Sequence, residues 1–183
     1  MFSKLKNDND VYIIAEVGQN HQGSLEKAIN YISTFASLGA DAVKFQMRSN
    51  SSLFDESIYQ MKYESDNSFG ETYGEHREFL ELDYEEFATL SKCCKDNKVD
   101  FIITPFDFIS FEKCVKLKVD ALKIASFDLG NIPLIDTFAK SLLPIVMSTG
   151  GGQINQIDDS IEAIIKYHKD CLLYTSDAAD ESV

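Results

Sequence analysis

The sequence predicts an α/β fold in which short parallel strands alternate with helices, and two observations support this. Five short apolar segments are each followed by a segment of helical periodicity, and this alternation is typical of a parallel sheet, either open or closed into a barrel. Polar residues follow all five strand segments. An open sheet uses mainly one crevice between two strands, so this spread favours the barrel.

The first strand and the first helix follow each other closely. Residues 11–17 are apolar except for Glu16, and they predict a strand. Ser24 is a suitable N-cap for the helix that follows, in which apolar residues recur at the 3.6-residue period. Gly39 lies beyond the last of them, where a glycine is typical of a helix C-terminus.

The second strand, residues 42–46 (AVKFQ), precedes a long polar stretch. Residues 49–80 contain glycines that interrupt regular structure, and we expect an irregular excursion with one short helix near residues 57–61. Asp83 and Glu86 then match a capping box, which predicts the start of the next helix.

The remaining elements repeat the alternation. They are predicted, in chain order, as a strand at 101–104, a helix near 110–117, a strand at 121–125, a helix near 132–141, a strand at 145–148 and a last amphipathic helix carrying Ile157, Ile161, Ile164 and Ile165. The strands are short and apolar, as are parallel strands that are covered on both faces.

Composition and charge narrow the class of protein. With 44% hydrophobic and 26% charged residues, the 183-residue chain has the composition of an ordinary globular domain. A net charge of -13 argues against nucleic acid or an anionic membrane as the main partner. The sequence has neither a membrane-length apolar run nor a signal-peptide pattern, so we expect a cytoplasmic location. The four cysteines have no metal-ligand spacing, and we expect reduced thiols.

The residues that could bind or react lie at the carboxyl ends of the predicted strands. They are Glu16, Asn20 and His21 for the first strand, Lys44 and Gln46 for the second, Thr104 and Asp107 for the third, Lys123, Ser126 and Asp128 for the fourth, and Ser148, Thr149 and Gly150 for the fifth. Because the carboxyl ends of parallel strands meet on one face, we expect most of these side chains to converge there. Asp107 is instead predicted to cap the next helix.

Two lysines indicate the kind of ligand. Lys44 and Lys123 lie inside apolar strands, and a buried ammonium group is costly unless an anion pairs with it. Together with Thr104, Ser126 and a glycine-rich turn before a helix, they predict a phosphate site. Taken singly, each feature has an ordinary alternative: Lys44 could extend to solvent, Glu16 could form a salt bridge, and the Ser-Thr-Gly segment could be a plain turn.

Five segments resemble one known family. IIAEVGQNHQGS, GADAVKFQ, FIITPFD, ALKIASFDLGNIPLI and PIVMSTGG occur in the order and at spacings similar to those of the sialic acid synthase (N-acetylneuraminate synthase) family, over about residues 11–168. The resemblance implies condensation of phosphoenolpyruvate with N-acetylmannosamine or a related N-acylated hexose, giving a nonulosonic acid and phosphate. It also implies a (β/α)8 TIM barrel followed by an antifreeze-like domain, a homodimer, and a requirement for Mn²⁺ or Mg²⁺.

The resemblance also implies roles for individual residues. Glu16 and Asp128 are expected to be catalytic, and Gln46 is expected to contact the sugar. The expected phosphoenolpyruvate contacts are Lys44, Thr104, Lys123, Ser126, Ser148 and Gly150. Asp128 stands where the family commonly has glutamate, so its carboxylate is one methylene shorter. The KIASF segment also resembles pseudaminic and legionaminic acid synthases, which leaves the sugar open.

Compared with that family, much of the barrel is missing. We assign residues 1–10 to an extension and 11–170 to a barrel domain with about five of eight strand–helix units. We expect the family's histidine metal ligands, which lie on later strands, and its antifreeze-like domain to be absent from this chain. Residues 171–183 (CLLYTSDAADESV) resemble a translated sequencing adaptor, so we expect a non-native tail, a native polar tail being the alternative. Because five strands cannot close a barrel, we expect the chain alone to be aggregation-prone and inactive.

Two other functions stay open from the sequence. A class I type aldolase would use Lys44 or Lys123 to form a Schiff base with its substrate. A non-catalytic half-barrel would bind a ligand or a partner subunit without turnover.

Overall fold

The computed structural model describes residues 11–168 and 174–175, and its strands form one parallel sheet in the order β1-β2-β3-β4-β5-β6. The strands are β1 (Ile14–Gly18), β2 (Ala42–Met47), β3 (Asp100–Pro105), β4 (Ala121–Ile124), β5 (Ile145–Met147) and β6 (Tyr174–Thr175). The helices are α1 (Leu25–Ser37), α2 (Asn50–Leu53), α3 (Glu56–Tyr59), α4 (Tyr73–Leu80), α5 (Tyr84–Asp96), α6 (Phe108–Leu117), α7 (Ile132–Lys140) and α8 (Ile154–Ile165). The predicted strand–helix alternation is therefore confirmed.

The strands pair in the order expected for the wall of a barrel. Each strand pairs with its neighbours in chain order, whereas doubly wound sheets reverse direction at a switch point. The main core lies between one face of the sheet and the helices α1, α5, α6, α7 and α8. We call this face the outer face and the opposite one the inner face. The predicted barrel-type architecture is confirmed, as six consecutive strands of a partial (β/α)8 wall.

Side chains alternate along each strand between the outer and the inner face. Val43 and Phe45 belong to the core under the helices, and so do their neighbours on β3 and β4. Ala42, Ile102 and Ala121 form a separate small cluster on the inner face, at the amino-terminal end of the sheet. Because side chains alternate between faces, Lys44 and Gln46 lie on the same inner face as Ala42.

The structure corrects one prediction at the N-terminal end and adds a short strand near the C-terminal end. β1 begins at Ile14 rather than at residue 11, because the backbone N–H of Ile13 donates to the Asp41 side chain (2.9 Å) instead of joining a strand ladder. A sixth strand, β6, is present where the sequence predicts a tail; two residues show too little periodicity to be identified from sequence. The other residues of the N-terminal extension and of the tail lie outside the described residues, and the origin of the tail stays a prediction.

The prediction of an irregular excursion at residues 49–80 is wrong in part. The expected short helix is present as α3, but α2 and the two-turn helix α4 also lie there. Thr72 and Glu75 form a capping box at the start of α4, the same sequence signal that correctly placed α5 at Asp83. The structure therefore adds a helix close to the carboxyl end of the sheet.

Candidate active site

The two strand lysines are buried on the inner face. Lys44 on β2 and Lys123 on β4 are only 5% and 2% exposed. The register pairs Lys44 with Glu16 of β1 and with Ile102 of β3, and it pairs Lys123 with Val146 of β5. A buried ammonium group is costly unless hydrogen bonds and opposite charges surround it, so the partners of each lysine define what this face can bind.

Lys44 joins two predicted site residues. Its ammonium group forms an ion pair with the Glu16 carboxylate, whose side chain remains 32% exposed. The same Nζ donates a hydrogen bond to Thr104 Oγ1 at 3.4 Å, and Thr104 is itself buried. The structure therefore brings the expected catalytic carboxylate and two of the expected phosphoenolpyruvate contacts into one group.

Lys123 lies at the centre of a second group. Its Nζ donates to the carbonyl oxygen of Ile124 (3.1 Å), which also accepts the backbone N–H of Ser148 at 3.1 Å. Asp128, in the 3-10 turn after β4, is buried, and burial raises the pKa of its carboxyl group. A hydrogen bond from Asn131 and the charge of Lys123 act in the opposite direction. A carboxyl group in such surroundings is suited to holding or accepting a proton.

Ser126 and Gly150 occupy the predicted end of the sheet. Ser126 is half-buried and begins the 3-10 turn that carries Asp128. Gly150 is exposed in the turn that follows β5. Both residues are placed at the carboxyl edge by their backbone positions, beside the strands that carry Lys123 and Ser148.

Gly18 is where Glu16 and Gln46 approach each other. Its φ of +54° favours glycine, and a Cβ there would lie 3.0 Å from Glu16 Oε1 and 3.6 Å from Gln46 Nε2. The absence of a side chain at Gly18 thus leaves room for both polar groups. The expected sugar contact and the expected catalytic carboxylate converge at this point.

A buried polar network next to Gln46 was not predicted. Arg48 Nη2 donates to Gln46 Oε1 at 2.7 Å, Arg48 Nη1 lies 3.6 Å from Glu81 Oε1, and Gln19 Nε2 donates to the same Glu81 oxygen at 2.6 Å. Burial raises the pKa of Glu81 to about 7, although the charge of Arg48 opposes that rise. Arg48 follows Lys44 and Gln46 at the two-residue spacing of a strand, a signal that could have revealed it. Glu81 follows α4, the helix that the sequence reading missed.

With this geometry established, the comparisons with known proteins identify the family. The NeuB family model matches residues 31–178, most of the chain, beginning within α1. This chain belongs to the NeuB family. The resemblance to sialic acid synthases is therefore confirmed.

Relatives in the NeuB family are named as nonulosonic acid synthases. N-acetylneuraminate-9-phosphate synthase of Drosophila melanogaster is 38% identical over 156 residues, which is 85% of this chain and 42% of that protein. N,N'-diacetyllegionaminic acid synthase of Legionella pneumophila is 32% identical over 88% of this chain and 46% of that protein. A crystal structure of the sialic acid synthetase of Leptospira borgpetersenii, in complex with citrate, matches with a TM-score of 0.76 and 29% identity, covering 91% of this chain and 54% of that one.

Those matches also show how much of each relative this chain covers. It spans about two fifths of the length of the curated NeuB relatives quoted above, from 42% to 46%. The chain therefore corresponds to less than half of each of these NeuB relatives.

The described residues do not fit the divalent metal that the resemblance implies. Within residues 11–168, no three His, Cys, Asp or Glu side chains are grouped so that they could hold a metal ion. His21, next to the first strand, is buried; its Nδ1 accepts from the backbone N–H of Gly23, and burial lowers its pKa to about 4. Burial thus favours the neutral form of the His21 imidazole.

Other sequence expectations can be checked directly. Asp107 caps α6 through a hydrogen bond from the Ser110 N–H (2.8 Å), as predicted. Cys93, Cys94 and Cys114 are free thiols, as predicted, and Cys171 lies outside the described residues. Among the helices that the structure describes, none is long and apolar enough to span a membrane.

Proposed function

We propose that this chain supplies part of the active site of a synthase that condenses phosphoenolpyruvate with an N-acylated hexose to form a nonulosonic acid and phosphate. One observation carries the proposal: Lys44 and Lys123 are buried on the same inner face. Lys44 contacts the Glu16 carboxylate and the Thr104 hydroxyl, and the charge of Lys123 acts on the Asp128 carboxyl group. The names of the NeuB relatives support the product class, and they differ in the sugar acid formed.

The charge of the inner face suits phosphoenolpyruvate. This substrate carries a phosphate and a carboxylate, and two ammonium groups in a water-poor site can bind both. The Thr104 hydroxyl lies beside Lys44, and the backbone N–H of Ser148 shares the Ile124 carbonyl oxygen with Lys123, so both residues are close to the lysines without adding charge. One anionic group would then share Lys44 with the Glu16 carboxylate, and the other would add an opposite charge beside Lys123.

The reaction needs carboxylates as well as cations. The C2=C3 electron pair of phosphoenolpyruvate forms a bond from C3 to the aldehyde carbon of the open-chain sugar, and the aldehyde oxygen takes up a proton. Water adds to the cationic C2 and loses one proton. The C2–O bond to phosphate then breaks while the C2 hydroxyl gives its proton to the departing phosphate, which leaves a 2-keto acid. We assign Glu16 to the sugar end and Asp128 to the proton transfers near C2, because burial raises the pKa of the Asp128 carboxyl group and so favours its holding a proton.

The sugar end lies where Glu16 and Gln46 meet beside Gly18. An amide and a carboxylate can bind the hydroxyl and N-acyl groups of a hexosamine, such as N-acetylmannosamine or a related sugar. We expect a full-length protein to be a cytoplasmic homodimer that uses Mn²⁺ or Mg²⁺ held by residues outside the described part of this chain.

Three experiments distinguish this function from its alternatives. Calorimetric titration of the chain with phosphoenolpyruvate should give saturable binding for which inorganic phosphate competes. Incubation with pyruvate and borohydride should leave both strand lysines unmodified; labelling of Lys44 or Lys123, located by mass spectrometry, would instead support the Schiff-base aldolase. Binding without turnover after the missing half-barrel is added as a second polypeptide would support the non-catalytic alternative.

A further inference from the structure

We propose that Arg48 is a positioning residue that fixes the orientation of the Gln46 side-chain amide, and that Glu81 fixes Arg48. Resting on the proposed function, this makes Arg48 and Glu81 determinants of binding at the sugar end of the site. Neither residue belongs to the set that the family motifs predict.

The chemistry of the arginine determines which way the amide of Gln46 faces. Arg48 Nη2 lies 2.7 Å from Gln46 Oε1, and a guanidinium group can only donate hydrogen bonds. The amide oxygen must therefore face Arg48, and the amide nitrogen must face the other way. Gln46 Nε2 indeed lies toward Gly18 and the Glu16 carboxylate, so the side chain presents N–H donors to that part of the site.

Arg48 is itself held on several sides. Its backbone N–H donates to Glu81 Oε2 (3.2 Å), and its Nη1 lies 3.6 Å from Glu81 Oε1. The guanidinium group stacks over the Phe106 ring at 3.9 Å, and that ring stacks in turn on Phe127. The Arg48 side chain is only 12% exposed. A planar guanidinium group can pair, stack and donate to Gln46 simultaneously, whereas the point charge of a lysine cannot.

Glu81 connects this arrangement to the loop after β1. Gln19, in that loop, donates its amide to Glu81 Oε1 at 2.6 Å. Arg77 of α4 completes the group by donating to Gln19 Oε1 at 3.3 Å. The orientation of Gln46 is thus set by residues from β2, from the end of α4 and from the β1–α1 loop.

Loss of the Arg48 side chain should weaken binding only at the sugar end of the site. Replacing Arg48 by methionine removes a charged donor from Gln46 and frees its amide to rotate. We expect affinity for an N-acylated hexose to fall about tenfold, the usual effect of losing a well-aligned hydrogen bond of a charged group. Affinity for phosphoenolpyruvate should change less than about twofold, because the side chain of Arg48 binds Gln46, Glu81 and the Phe106 ring.

Nuclear magnetic resonance of the Gln46 side-chain amide tests the positioning directly and without substrate. The amide signals are assigned with Gln46→Ala and followed in the wild-type chain, Arg48→Met and Arg48→Lys. Lys27→Met serves as the matched control, because it removes an exposed cation that donates to a different side-chain amide, that of Gln22 (2.8 Å). We expect amide hydrogen exchange at Gln46 to be at least about tenfold faster in Arg48→Met, intermediate in Arg48→Lys and unchanged in Lys27→Met.

Unchanged Gln46 exchange in Arg48→Met, with a dispersed spectrum, would overturn the inference. If Arg48→Met does not fold, Arg48→Lys provides the test. Exchange of the Gln46 amide at the wild-type rate in Arg48→Lys would contradict the requirement for a guanidinium group. Titration with N-acetylmannosamine is the second arm. It should shift the Gln46 signals of the wild-type chain and require about tenfold more sugar in Arg48→Met. A wild-type chain that shows no shift with sugar would contradict the proposed sugar site, while the exchange data would still decide the role of Arg48.

Discussion

The carboxyl group of Glu81 gives the most specific prediction about stability, because burial disfavours its ionised form. In the unfolded chain this group loses its proton near the ordinary glutamate pKa of 4.5, whereas burial raises its pKa in the folded chain to about 7. Between pH 4.5 and about pH 7, Glu81 therefore holds a proton in the folded chain that it has lost in the unfolded chain. Since the folded state then holds more protons than the unfolded state, raising the pH across this window lowers the free energy of unfolding.

The size of this effect follows from the two pKa values. Each unit of difference is equivalent to 1.36 kcal/mol, so ionised Glu81 should cost about 3 kcal/mol above roughly pH 8 compared with below roughly pH 4. The side chain is only 10% exposed, so solvent screening reduces this value little. The charged groups that act on it are Arg48 and the half-buried Arg77, and both lower its pKa, so the value of about 7 already includes their attraction.

Urea denaturation of the wild-type chain and of Glu81→Gln, at pH 5 and at pH 8, measures this cost. Glutamine does not titrate, so the stability of the variant relative to wild type should improve by about 2–3 kcal/mol on going from pH 5 to pH 8. Glu85→Gln, at an exposed position on α5, is the matched control and should show no such change. If Glu81→Gln and wild type follow parallel curves between the two pH values, the burial argument for Glu81 is wrong.

Three other substitutions test the fold by chemical denaturation. Ser24→Ala should cost about 1 kcal/mol, since it removes the hydrogen bond from the Lys27 N–H that caps α1, and a loss under about 0.3 kcal/mol would contradict that role. Phe138→Ala should cost about 3–5 kcal/mol, because Phe138 is fully buried and stacks on Phe111; a loss below 1.5 kcal/mol would show that the core collapses around the gap. Gly23→Ala should unfold the chain or move α4, because Gly23 has a φ of +69° and a Cβ would lie 2.1 Å from a backbone oxygen of α4; wild-type stability would contradict this packing.

The sequence was sufficient to predict the wall of the barrel because its signals are local. Strand segments, the caps at Ser24 and Asp83, and the two-residue spacing of Lys44 and Gln46 are each visible within a few residues. The convergence of Glu16 with Lys44 also followed, since parallel strands bring their carboxyl ends together.

The network around Arg48 could not be predicted in the same way. It depends on Glu81 and Gln19, which are 33 and 29 residues away from Arg48 in the chain and which meet it only because α4 packs beside the β1–α1 loop. Missing α4 therefore meant missing the residues that hold Gln46. The pKa of Glu81 likewise arises from burial, which no local sequence pattern reports.

The central claim is that two buried lysines on the inner face bind the anionic groups of phosphoenolpyruvate. Calorimetric titration of wild type, Lys44→Met and Lys123→Met with phosphoenolpyruvate tests it most directly, with Lys92→Met as control for an exposed lysine paired with Asp96. We predict that each inner-face variant binds at least about tenfold more weakly while Lys92→Met binds as wild type does, because a hydrogen-bonded charge contributes about 1.5–3 kcal/mol. Wild-type affinity in both Lys44→Met and Lys123→Met, with folding intact, would contradict the account.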